Sequence, residues 1–201
     1  MILLVCAVAR ELSWLEVPEG FRVLVTGVGP VEAAINTTRA LMRDTYTAVV
    51  NAGIAGALPG VANVGEAVVV RDEFMELDVE TGEPIVLPDR MRVPDTARSD
   101  RNLVTAVTRL GFKAARGVTV SRVTASDATG HRLSALGAQV ESMEGFSVLR
   151  AAELLGIPAI EVRGISNIVG NRERSRWSFS SGIEGLKPIL TATIDALRPT
   201  E

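Results

Sequence analysis

VESMEG, residues 140–145, stands between the loop-like ALGAQ (135–139) and the helical run FSVLRAAELLGI (146–157). A short apolar strand, QVESM, hands over directly to an amphipathic helix that starts near Glu144. A second strand, PAIEVRGISNIVG (158–170), follows that helix. Strand–helix–strand, with mainly apolar strands, describes a sheet covered on both faces. The same alternation continues outward. ILLVCAV (2–8), FRVLVTGVG (21–29), GEAVVVRDEFM (65–75) and RGVTVSRVTA (116–125) read as strands. TAVVNAGIAGALP (47–59) reads as a strand that breaks into a Gly/Ala loop. PVEAAINTTRALMRD (30–44) places Val31, Ala34, Ile35, Thr38, Leu41 and Met42 at helical spacing, with Pro30 at the helix start. NLVTAVTRLGF (102–112) and GIEGLKPILTATIDAL (182–197) are further helices. The expected fold is α/β: a single domain over 1–201, in three α/β/α layers around a mixed, mostly parallel sheet. Residues 73–101 have weak periodicity and three prolines, and read either as a binding loop or an interface or as a disordered surface insertion.

At 201 residues, with 47% hydrophobic and 22% charged, the chain can bury a sizeable core and is not of disordered type. A net charge of -3 gives no basic footprint for nucleic acid. The N-terminal run MILLVCAVA is too short to span a bilayer, and it lacks the pattern of a secretory leader. No membrane partner is expected. The one cysteine, Cys6, makes no disulfide framework and favours the cytoplasm. Inside a strand it reads as a core thiol rather than a nucleophile. One cysteine and one histidine, His131, give no Cys/His zinc spacing, so no metal or cofactor is expected.

In open α/β sheets ligands gather at the carboxyl ends of strands. Polar or glycine-rich elements stand at four such ends: Glu11, NAGIAG (51–56), Met143 with Glu144, and Ser166 with Asn167. GVGPVE and NAGIAGALPG fit neither G-x-G-x-x-G nor the P-loop pattern. Their glycines serve either an anion or close packing. Glu144, just before a helix, is either a partner of the helix dipole or an acid facing a ligand. Glu141 reads as a solvated or structural acid. Glu11 is either a first-turn helix acid or a catalytic one, and Asn167 either a turn residue or an amide offered to a ligand. Arg172, Arg174 and Arg176 either hold an anion or form a solvated loop.

CAVARELSWL (6–15), VTGVGPVEAAINTT (25–38), NAGIAGAL (51–58), GEAVVVRDEF (65–74), VESMEG and VRGISNIVGNRERSRW (162–177) occur in an order that resembles the nucleoside phosphorylase/nucleosidase family, over nearly the whole chain. The resemblance implies a nucleoside phosphorylase-like fold and cleavage of the bond between a purine and ribose. It assigns Glu144 to the ribose hydroxyls, with Met143 packed beneath the sugar and Ser142 beside it. Glu11 matches the acid that activates water. Val8 joins Met143 as an apolar wall, and Ile54, Ala55 and Gly56 line the sugar side. Asn167 faces the purine, and Trp177 or Phe179 caps it. Thr124, Arg122 and residues 172–176 are candidates for a carboxylated, non-purine end of the substrate. Adenine-releasing members carry Asp where this chain has Asn167, and Ser where it has Ile54. An amide suits a 6-oxopurine, so the resemblance implies a hydrolase that takes a nucleoside and water and releases hypoxanthine. A purine nucleoside phosphorylase is the alternative, and a non-catalytic nucleoside binder is a third reading. The family also implies a homodimer or higher oligomer.

Overall fold

The computed structural model describes residues 1–78, 83, 85–88, 91, 93–171 and 176–198. Strand β1 (Ile2–Cys6) lies between β2 (Phe21–Val25) and β3 (Ala48–Ala57), parallel to both. Its side chains alternate in direction. Ile2, Leu4 and Cys6 enter one apolar cluster, and Leu3 and Val5 enter another. Both faces are buried, which is why the strand reads as an unbroken hydrophobic run. Helices α1 (Pro30–Arg43) and, later in the chain, α4 (Gly145–Leu154) pack together over the Leu3/Val5 face. Helices α2 (Arg101–Arg109) and α5 (Phe179–Leu197) cover the other face, where Leu186, Ile189, Leu190 and Ile194 fill the core. Three layers result. No helix among the described residues is long and apolar enough to cross a membrane.

The remaining strands are β4 (Ala67–Met75), β5 (Thr96–Arg98), β6 (Lys113–Thr119), β7 (Val140–Ser142) and β8 (Ala159–Ile168). The sheet order is β2-β1-β3-β7-β6-β4-β5, and β8 pairs with both β3 and β4. The path β3–β8–β4–β6–β7 therefore returns to β3, and one end of the mixed sheet closes on itself. Parallel pairings predominate.

Three local expectations change. The Gly/Ala stretch is not a loop: β3 runs on to Ala57 because β8 pairs with it from Val49↔Ala159 to Ala57↔Ile168, past one bulge at Ala55/Gly56. Its glycines serve packing. A Cβ on Gly53 would lie 2.6 Å from both Arg163 Nη1 and Glu11 Oε1. Within residues 73–101, Glu73 and its neighbours complete β4, and β5 pairs antiparallel with them. The third change is an additional helix, α3 (Asp127–Ala135), capped by Ser126 Oγ accepting from Thr129 N. Its apolar face is narrow, with Leu133 its large buried side chain, so it leaves little periodic signal.

Candidate active site

The carboxyl ends of β1, β3, β7 and β8 meet around a cavity of about 370 Å³. Glu11, Glu144 and Asn167 all line it. So do Val8, Ile54, Ala55, Gly56 and Thr124. Ser142, Met143, Trp177 and Phe179 complete the set named from the sequence. The wall also includes Val28, Val123, Glu141 and Gly170. Val28 had a usable signal, since it sits between two glycines just beyond a parallel strand. Val123 had none.

Glu11 ends a single 3-10 turn, Ala9–Glu11, which follows β1. It is 3% exposed. Its Oε2 accepts from the backbone N–H groups of Ala7 at 3.0 Å and Val8 at 3.1 Å. Its Oε1 accepts from Ile54 N–H at 2.9 Å. Three donors fix the carboxylate in one orientation. Burial pushes its acid above the usual carboxylate range, against the Ile54 N–H, the Arg163 guanidinium and the Val8 N–H, with Glu144 adding to the rise. A carboxylate so placed is a better proton acceptor near neutral pH than an exposed one.

Glu144 is buried at the start of α4 but does not cap it. That helix end is served instead by Ser142, whose Oγ accepts from Gly145 N–H at 3.1 Å. Glu144 is thereby free to turn toward α1, where its Oε1 accepts from Gly29 N–H at 2.9 Å. The Glu144 side chain also lines the cavity. Met143 beside it is half-buried in the wall.

Asn167 lies near the end of β8. Ser166 Oγ stands 2.9 Å from Asn167 Oδ1 and 3.1 Å from the Ala55 carbonyl, and it accepts from Trp177 Nε1 at 3.1 Å. With the amide oxygen turned to Ser166, the amide NH₂ is the end available as a donor. Trp177 and Phe179 meet edge to face, with centroids 5.7 Å apart. Ser178 N–H ties their segment to the Ser166 carbonyl at 2.8 Å. Arg10 lies over the Phe179 ring, 5.2 Å from its centroid.

Glu141 is buried and structural, not solvated: Thr124 donates to it through N–H at 3.0 Å and through its hydroxyl. Burial pushes its acid up, and the Thr124 donors oppose the rise. Cys6 is buried, its thiol pushed up to about 12 by burial and then by Glu11, which leaves it inert. Arg122 is exposed and lies outside the cavity wall. Arg176 lines a second cleft with Asn171, while Arg172 and Arg174 lie outside the described residues. Sequence reasoning missed Arg163, which is 1% exposed behind the cavity and ion-paired to Glu161 at 2.7 Å.

Comparison with known proteins adds an independent line. The chain is 33% identical over 198 residues to a futalosine hydrolase of Streptomyces coelicolor, covering 92% of this chain and 84% of that protein. It is 32% identical over 176 residues to a futalosine hydrolase of Thermus thermophilus, covering 83% and 78%. Among solved structures, the native futalosine hydrolase of Helicobacter pylori superposes with a TM-score of 0.83 at 16% identity, over 98% of this chain and 97% of that one. The 5'-methylthioadenosine/S-adenosylhomocysteine nucleosidase of Neisseria meningitidis, in complex with methylthio-immucillin-A, also gives 0.83, at 16% identity over 98% and 99%. These two structures bear on the fold. The family model described as the phosphorylase superfamily matches residues 20–194, and the chain belongs to that superfamily.

Proposed function

We propose that this chain is a nucleosidase that hydrolyses the N-ribosidic bond of futalosine, releasing hypoxanthine and dehypoxanthine futalosine, in the alternative menaquinone pathway. The observation that carries the reading is the placing of two carboxylates, Glu11 and Glu144, and one neutral amide, Asn167, on a single cavity. The futalosine hydrolases at 32 and 33% identity support the choice of nucleoside.

Cleavage of such a bond develops oxocarbenium character at the sugar, as glycoside hydrolysis does. In this reading Glu144, with Oε1 held by Gly29, accepts hydrogen bonds from the 2′ and 3′ hydroxyls through its remaining lone pairs and stabilises the cationic sugar. The bond from the anomeric carbon to the base breaks, and its electron pair leaves on the base as an anion, which takes up a proton from solvent to become hypoxanthine, matched by the proton that Glu11 afterwards gives back to solvent. The Asn167 NH₂ donates to the departing base at N7 or O6. Water adds to the anomeric carbon, and its proton passes to Glu11. Val8 and Met143 keep bulk water from the reacting atoms. Trp177 or Phe179 caps the base. The reaction uses only the nucleoside and water.

The phosphorylase alternative is less favoured because the curated relatives above 30% identity are hydrolases. Chromatography of the protein incubated with futalosine, inosine and methylthioadenosine, with and without phosphate, tests the reading. Hypoxanthine from futalosine, independent of phosphate, is the expected result. Release that requires phosphate and favours inosine would make the chain a phosphorylase. Adenine release would overturn the role given to Asn167.

A further inference from the structure

Glu161 and Arg163 stand two residues apart on β8 and so share a face. They are 0% and 1% exposed. Arg163 Nε donates to Glu161 Oε1 at 2.7 Å. Glu73 of β4, also 0% exposed, enters the same space. A Cβ on Gly145 would lie 2.5 Å from Glu73 Oε1 and 2.7 Å from Glu161 Oε1, so both acids pack against the first residue of α4. Thr119 Oγ1 donates to Glu73 Oε2 at 2.8 Å and accepts from Phe146 N–H at 2.7 Å. Toward the cavity, Arg163 Nη1 and Glu11 Oε1 both lie 2.6 Å from where a Cβ on Gly53 would stand. One guanidinium thus stands against Glu161 on one side and near Glu11 on the other, and the charges of Glu144 and Glu73 also interact with it. Cys6 of β1 adds a neutral thiol.

Four carboxylates are more negative charge than a single buried cation offsets, and an uncompensated charge out of water is strongly unfavourable. Burial, and then the neighbouring Glu161, push the Glu73 acid well above the usual carboxylate range. Glu73 is thus the acid disposed to hold a proton, beside the Arg163–Glu161 ion pair. Arg163 keeps its charge despite burial because Glu161, Glu144 and Glu11 all act on it.

We propose that Glu161, though outside the cavity, is a positioning residue for hydrolysis: it fixes the Arg163 guanidinium through Nε and offsets its charge, so that Glu11 remains able to take the proton of the attacking water. The proposal rests on the hydrolytic role given to Glu11. Without the Glu161 charge, Arg163 acts on Glu11 undivided, and Glu11 holds a proton less tightly. Glu73 could then ionise and take over as counter-ion, so the decisive variant replaces both acids.

The experiment measures futalosine hydrolysis against pH for the wild type, Glu73→Gln, Glu161→Gln and the double variant. Glu73→Gln keeps the neutral charge and a donor, so its profile should match the wild type. The double variant should move the acid limb of kcat/KM to lower pH by about one unit and lower kcat about tenfold, with KM little changed. A folded double variant with an unshifted acid limb and full kcat would overturn the proposal. Infrared difference spectra of the wild type and Glu73→Gln provide a measurement that does not require the double variant to fold. A protonated-carboxyl band at neutral pH that is lost in Glu73→Gln supports the charge arrangement, and its absence from the wild type overturns it. A wild type that releases no hypoxanthine sinks the functional reading itself, and with it the role of Glu161, whatever the infrared spectra show.

Discussion

At the scale of single residues, the assignment of Glu11 makes the sharpest claim. Its three N–H donors orient it, and burial raises its affinity for a proton. Glu11→Gln should lower kcat about a hundredfold or more while KM changes little, because the base acts in the transition state and not in binding. In the wild type, kcat/KM should fall as pH drops through the Glu11 titration. The sign follows from the role: the active form is the carboxylate, and protonation removes it. Because the Glu11 acid is raised, the fall should be centred above the pH at which an ordinary glutamate titrates. A rate independent of pH across that range, or a fully active Glu11→Gln, would remove the assignment. Asn167→Asp tests the other end of the cavity. It exchanges a donor NH₂ for a carboxyl oxygen that repels O6 of a 6-oxopurine, so futalosine cleavage should fall at least tenfold, read as hypoxanthine release (~1.4 kcal/mol per tenfold). Glu11, Glu144 and Asn167 were legible because each stands where a strand ends. Arg163 was legible in principle: Glu161 and Arg163 put opposite charges on one face of an otherwise apolar strand. That face is buried against α4, and a sequence does not say which face of a two-sided strand meets other charges.

At the scale of elements, the alternation of strand and helix carried most of the layout, and the misread stretch is instructive. Residues 51–57 contain two glycines and three alanines, which have poor strand propensity. Local preference therefore favoured a loop. Pairing with β8 overrides it, and the small residues are there because Glu11, Arg163 and Asn167 lie directly over the strand. This predicts the effect of one methyl group. Gly53→Ala would press a Cβ to 2.6 Å from both Arg163 Nη1 and Glu11 Oε1. Neither atom is free to withdraw, since Glu11 is held by three N–H groups and Arg163 by Glu161. Overpacking of this kind costs about 1–3 kcal/mol. Thermal unfolding should show that loss, and turnover should fall further than the loss of folded protein explains, because the displaced groups include the proposed base. Normal turnover per folded molecule would show that the glycine matters only for packing.

At the scale of the whole molecule, the three-layer α/β arrangement was readable from two-sided apolar strands, but the closure of β3, β8, β4, β6 and β7 into a circuit was not. Closure depends on β8 pairing with two partners, β3 in parallel and β4 antiparallel, and no short window of sequence contains that pairing. Association between copies belongs to the same scale. Val31, Ile35 and Met42 are 66%, 49% and 74% exposed and fall on one stripe of α1. Val28, which lines the cavity, is 55% exposed and leads into that stripe. An apolar stripe of this kind is costly to leave in water and marks an interaction surface. We propose that a second copy covers it through the same face, as a two-fold pairing requires. Light scattering coupled to size exclusion should then give at least a dimer for the wild type. The double variant Ile35→Glu and Met42→Glu should give a monomer, since it brings like charges together across the two-fold axis. Because the stripe adjoins the cavity through Val28, the monomer should also bind its nucleoside more weakly, raising KM more than it lowers kcat. A double variant that keeps the wild-type mass would place the interface elsewhere. A monomer with unchanged KM would separate association from the site.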